Sequence, residues 1–216
     1  HYEIKVVYSY MRKIINEYPN TLKRLENNYL GENAPKDSKG RFFSEGITHV
    51  DEQPSIQAIM SEHGGEFEVP YKNLCELPPH IKRTPRLDYK NGNIVMEYKK
   101  VRTMYDRGIL DEYTIGKLFN PSASQSYINP FTNTSVASSS MTGDIEKLLM
   151  LPETFDRYIV LELWSGEPYT SEPYINMLNT MLNQYYDLEF TSEVYNGIHP
   201  KLTRCDILCY RILGRK

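Results

Sequence analysis

Seven side chains able to bind a cation or exchange a proton fall in one short stretch: His49, Asp51, Glu52, Glu62, His63, Glu66 and Glu68. Imidazole nitrogen and carboxylate oxygen are the donors that zinc, manganese and similar ions accept. Their spacing follows no ligand pattern, however, and Gly64-Gly65 sets a loop in their midst. The expectation is a solvated acidic loop with no metal. Glu162 stands apart, inside an apolar run that ends at Trp164. A carboxylate in a low-dielectric setting titrates late, but on an alternating strand this one is expected to face water.

A third group is basic. Between His80 and Arg107 eight Lys and Arg stand against three acidic residues, in a chain of 216 residues whose formal net charge is -3. Tyr89 and Tyr98 interleave with Lys82, Arg83, Arg86, Lys99, Lys100 and Arg102. Cations beside flat rings suit a phosphate backbone with stacked bases. The same composition suits an acidic protein surface, or a solvated face paired with the acidic remainder of the chain. These eight residues are the candidate binding patch.

Other chemistry is missing from the pattern. No Gly-x-Gly-x-x-Gly, Gly-Lys-Ser/Thr, His-Glu-x-x-His or Gly-x-Ser-x-Gly occurs, which removes the common nucleotide, zinc-protease and serine-hydrolase signatures. No catalytic residue and no cofactor is assigned. Cys75, Cys205 and Cys209 are odd in number and form no Cys-x-x-Cys, a usage that fits a reducing compartment. Cys205 and Cys209 read as core packing. Asn129-Pro130-Phe131 has the form of a short docking motif, and Asn133-Thr134-Ser135 that of a glycosylation sequon.

The elements that must position these residues can be read from spacing. Ile4, Val7, Met11, Ile14 and Tyr18 predict a first helix that Pro19 interrupts, and Leu22, Leu25 and Tyr29 a second, stopped by Gly31. The pair reads as a helical hairpin with apolar faces in need of cover. Residues 31–54 read as loop, 55–62 as helix and 66–69 as extended. Leu87 to Tyr98 reads as a hairpin turning at Asn91-Gly92, followed by a short helix over 99–107.

Leu118 to Gly143 carries no charge and is rich in Ser, Thr, Asn and Pro, the composition of a linker. Beyond it, a helix over 144–150 with Asp144 as cap, a strand over 158–164 and a helix over 172–185 capped by Ser171 are expected. Strands over 188–195 and 205–213 follow, the last also compatible with a helix. That α-β-α-β-β order is compatible with a winged helix.

Eighteen Tyr against seven Phe and one Trp suit half-buried sheet positions or interfaces. No run approaches the roughly 18 apolar residues of a membrane span. The start, His1-Tyr2-Glu3-Ile4, has neither an initiator Met nor the grammar of a signal peptide, and is read as part of a longer protein.

The sequence therefore predicts an α+β protein: residues 1–118 helical and irregular with a small hairpin unit, 119–143 a linker, and 144–216 a compact α+β unit. The expected role is a non-catalytic scaffold subunit of an intracellular assembly, cytoplasmic or nuclear, with other protein subunits as partners and no membrane. The alternative is a nucleic-acid module using Lys82–Arg107 and the C-terminal unit.

Overall fold

The computed structural model describes residues 2–34, 46–47, 50, 52–77, 79, 84–102, 127–128, 135–136, 141–166, 171–200 and 202–216. The class is α+β: the described residues form four α-helices and a six-stranded mixed sheet. In chain order these are α1 (Tyr2–Asn28), α2 (Gln53–His63), β1 (Glu66–Pro70), β2 (Arg86–Asn91), β3 (Ile94–Arg102), β4 (Tyr127–Ile128), β5 (Ser135–Val136), α3 (Met141–Leu148), β6 (Asp156–Ser165), α4 (Glu172–Tyr185), β7 (Tyr186–Asn196) and β8 (Arg204–Arg215). The main sheet runs β1-β2-β3-β6-β8-β7, while β4 and β5 form a separate two-stranded ladder.

The sheet separates two apolar cores. Ile145 and Leu148 of α3 and Ile175, Leu178 and Leu182 of α4 cover one face, over Val95, Ile159, Leu161, Leu208 and Tyr210. Met11, Ile14, Ile15, Tyr18, Leu22 and Leu25 of α1, with Ile56 and Ile59 of α2, cover the other, over Met96, Tyr98, Val160, Cys205 and Cys209. Central strands buried on both faces read as near-continuous apolar runs, which is why β6 shows little alternation in sequence. From Met11 to Leu25 the helix face expected to await a partner is thus covered by the chain's own sheet.

Several expectations need correction. Pro19 does not divide the N-terminal helix: α1 is continuous through it. Pro19 has no N–H for the carbonyl of Ile15, and the Tyr195 hydroxyl of β7 donates to that oxygen instead. The stripe of Met11, Ile14, Tyr18, Leu22 and Leu25 keeps one phase across the proline, so packing overrides the local penalty.

Residues 99–102 continue β3 rather than starting a helix, because β3 pairs in parallel with β6 along its whole length, Ile94 opposite Asp156 to Arg102 opposite Trp164. Residues 103–107 lie outside the described residues. That pairing also joins strands from either side of the uncharged stretch in one sheet, so the stretch does not divide the sheet. The strands of the C-terminal unit, β6, β7 and β8, are three of the six in that mixed sheet. Within the stretch, Tyr127–Ile128 and Ser135–Val136 pair antiparallel, and the docking motif and most of the sequon lie outside the described residues.

Asp144 sits inside α3 rather than capping it. Ser171 precedes α4 without a capping bond; its hydroxyl donates to Asp206 at 2.6 Å instead. Residues 205–213 are strand, which settles the helix alternative and places Cys205 and Cys209 together on one buried face. Among the described residues no helix is long and apolar enough to cross a membrane.

A carboxylate and lysine cluster where β2 and β3 part

The β2–β3 hairpin turns at Gly92-Asn93, with Gly92 at φ 58. A positive φ at the first of two loop residues is what a tight hairpin of this kind needs, and only glycine adopts it without strain. The turn fixes the register: Asn91 faces Ile94, Lys90 faces Val95 and Tyr89 faces Met96. There the ladder ends, although β3 continues to Arg102 alongside β6.

Past that point the amides of β3 that would have bonded to β2 take carboxylates instead. The Tyr98 N–H donates to Asp88 Oδ2 at 2.7 Å. The Lys100 N–H donates to Glu52, the residue just before α2. Two acids therefore stand in the gap left by the departing strand, satisfying backbone donors that would otherwise be buried without partners.

On the same stretch of β3, Glu97 and Lys99 project toward α3. Glu97 lies within hydrogen-bond reach of Asp88. Its Oε1 accepts from the Tyr71 hydroxyl at 2.7 Å and is 3.3 Å from Lys147 Nζ. Tyr71 belongs to the short turn that follows β1. The Lys99 ammonium lies 2.5 Å from Asp144 Oδ2, and Lys147 lies 2.5 Å from Asp144 Oδ1. A 3.6-residue turn brings Asp144 and Lys147 to one side of α3, and that side meets β3.

The electrostatics of this cluster are unbalanced: four carboxylates, Glu52, Asp88, Glu97 and Asp144, meet two ammoniums, Lys99 and Lys147. Burial pushes the Asp88 carboxyl up to about 6, with the charges of Asp144 and Glu52 adding to the rise. Burial likewise raises Glu97 well above the carboxylate range, with Lys147 opposing and Asp144 and Asp88 reinforcing it. Glu52 is raised by burial too, against the pull of Lys99. Burial works in the same sense on Asp144, but Lys147 and Lys99 outweigh it and hold that carboxyl below its usual value. Both lysines are raised, Asp144 being the chief charge that overcomes their burial. The cluster thus sets acids held partly against ionisation beside two largely enclosed ammoniums.

The opposite face of β3 carries a second polar group that is fully satisfied. Glu162 is completely buried, contrary to its expected water-facing position, because β6 is covered on both faces. Its Oε2 accepts from the Tyr98 hydroxyl, from Ser55 at 3.0 Å and from Tyr18 at 3.3 Å. Its Oε1 accepts from Trp164 Nε1 at 2.6 Å and lies 3.4 Å from Lys100 Nζ. With every lone pair engaged, this network pins α1 and α2 to the sheet.

The candidate patch is dispersed over these environments. Tyr89 and Tyr98 are wholly buried and offer no stacking surface. Lys99 and Lys100 point to opposite faces, paired with Asp144 and Glu162. Arg86 is exposed and lies 3.5 Å from Glu68. Arg102 ends β3, while Lys82 and Arg83 lie outside the described residues.

The acidic-loop residues are likewise apart. Glu62 meets Arg24 and Thr21, His63 lies 3.8 Å from Glu17, Glu66 pairs with Lys90, and Glu52 alone reaches the cluster. His49 and Asp51 lie outside the described residues. Among the described residues no three His, Cys, Asp or Glu side chains form a ready-made cation cage.

Asp88, Glu97, Lys147 and Tyr71 were not singled out by the sequence, and Asp144 was read only as a helix cap. The available signal was the hairpin itself, since the turn after Asn91 sets Asp88 across from Glu97 with Lys99 two residues on. Comparison with known proteins gives no match to a family model, a curated protein or a solved structure.

Proposed function

We propose that this chain hydrolyses phosphodiester bonds in nucleic acid, with a divalent cation held by Asp88 and Glu97. The observation that carries the reading is the pair of carboxyls at the parting of β2 and β3, Glu97 buried and Asp88 half-buried, with Lys99 beside them in a cluster of four carboxyl groups and two ammoniums. The donors are all oxygen, the chemistry that magnesium and manganese select. Magnesium takes only one or two protein carboxylates and completes its shell with water and substrate phosphate, so a pair of carboxylates is enough to hold it. When bound, the cation would lower the pKa of a water and withdraw charge from a phosphoryl oxygen.

The chain's own groups supply the rest. Backbone donors from Tyr98 and Lys100 fix Asp88 and Glu52 in place. Tyr71 orients Glu97. Lys99, held by Asp144, offers a fixed ammonium to the charge that builds on a phosphoryl oxygen. The helix face from Met11 to Leu25 is covered within the chain, so the cluster at β2 and β3, rather than that face, is the basis of this reading.

The test is incubation of the purified chain with single- and double-stranded DNA and RNA in magnesium, manganese, calcium or chelator. Cleavage is expected in magnesium or manganese. It should fall at least about a hundredfold in Glu97→Gln, Asp88→Asn and Lys99→Met. An intact, folded wild type that cuts none of these substrates in either ion overturns the proposal.

A further inference from the structure

The Glu97 oxygen required by that reading is already engaged. Oε1 accepts from Tyr71 and lies 3.3 Å from the Lys147 ammonium. An ammonium and a divalent cation on one carboxylate repel each other strongly where water is excluded. We infer that Lys147 is an internal counter-ion for the site, competing with the cation for Glu97 and withdrawing onto Asp144 when the cation binds. The inference rests on the assignment of Glu97 and Asp88 as cation ligands.

Three features give Lys147 this role rather than Lys99. Lys147 has two carboxylate partners, and the second, Asp144, belongs to the same helix one turn earlier. It can therefore leave Glu97 without becoming an unpaired buried charge, which would be costly. Asp144 keeps its other oxygen on Lys99, so the rest of the cluster stays in place during the exchange. Position is the third feature: Lys147 lies in the last turn of α3, whereas Lys99 sits on a strand registered against Leu161 of β6. A long side chain at a helix end has freedom that a ladder residue lacks.

The exchange also accounts for the charge. With Lys147 and Lys99 both on Asp144 and a dication on Asp88 and Glu97, four carboxylates meet four positive charges. Without the dication, Lys147 stands in for part of that charge at Glu97 and lets the cluster fold. The cost is weaker cation binding, because the cation must displace a resident ammonium.

Calorimetric titration of manganese chloride into the full chain tests this. Lys147→Met, close in length but uncharged, is expected to bind manganese about tenfold tighter than wild type. Adding Glu97→Gln to it should abolish the binding. Lys147→Arg, which grips a carboxylate with a fixed fork of donors, is expected to bind manganese several-fold more weakly than wild type. It also keeps the test open if the methionine variant does not fold.

Equal affinity in wild type, Lys147→Met and Lys147→Arg would overturn the competition and leave the cation site standing. Weaker binding in Lys147→Met would make Lys147 a residue that assembles the site and would overturn it equally. No manganese binding by any folded variant would remove the cation site itself, and the inference with it.

Discussion

Asp88 shows most directly what the cluster costs the fold. Its carboxyl is raised from 3.8 to about 6, so the folded chain holds that proton more tightly than the unfolded chain does. Its contribution to stability is therefore full below about pH 4 and is lost as pH rises through about 6. In chelator, wild type is expected to lose stability over that interval. Asp88→Asn keeps an oxygen for the Tyr98 amide but removes the charge. It is expected to flatten the slope and to gain about 1–2 kcal/mol at pH 7, measured by urea unfolding at pH 4 and pH 7. A variant that is more stable yet inactive is what a site built from mutually repelling acids should yield. A steeper slope, or a loss of stability at pH 7, would show that Asp88 is held by compensating charge instead.

At the scale of elements, α1 carries the clearest case of a local rule overridden. A proline inside a helix removes one donor and leaves the carbonyl four residues back without its usual partner. Tyr195 of β7 fills that vacancy at Ile15. Tyr195→Phe is therefore expected to cost about 1–3 kcal/mol, the range for stranding a buried acceptor. In a Pro19→Ala background the restored amide can reach Ile15, and the same substitution should cost much less. Chemical denaturation of the four chains gives that difference, and equal costs in both backgrounds would separate Tyr195 from the proline.

The same scale decides what could be read beforehand. The hairpin, the helix closed by Gly64, the strand ending at Trp164 and the final β-β pair were legible, because each carries its own periodicity or turn chemistry. Pro19 was misleading because its compensation comes from a strand far along the chain. The site was missed at one point: treating residues 99–107 as helix rotated Lys99 away from Glu97, whereas two more residues of strand place them on one side of β3. Asp144 and Lys147 join them through α3, a long-range contact that no local pattern announces.

For the molecule as a whole, the decisive feature is the parallel seam between β3 and β6. It ties the strands before the uncharged stretch to those after it, with an apolar core on either face. Heat or urea is accordingly expected to unfold the described sheet in one transition. The fluorescence of Trp164, fully buried in the core under α1, should follow the same curve as far-ultraviolet circular dichroism. Two resolved transitions would mean that the halves on either side of the stretch fold independently.

The bond from Tyr195 to Ile15 spans 180 positions of sequence, and a ribosome makes those positions in order. At about 5–20 residues per second, α1 leaves the tunnel roughly 10 to 40 seconds before its missing hydroxyl has been synthesised. Throughout that interval the first helix has a vacant carbonyl at its proline, and its stripe of Met11, Ile14, Ile15, Tyr18, Leu22 and Leu25 lacks the β6 and β8 residues that later cover it. Until the trailing strands arrive, the nascent chain thus exposes a greasy, incompletely bonded helix that only its own later strands complete.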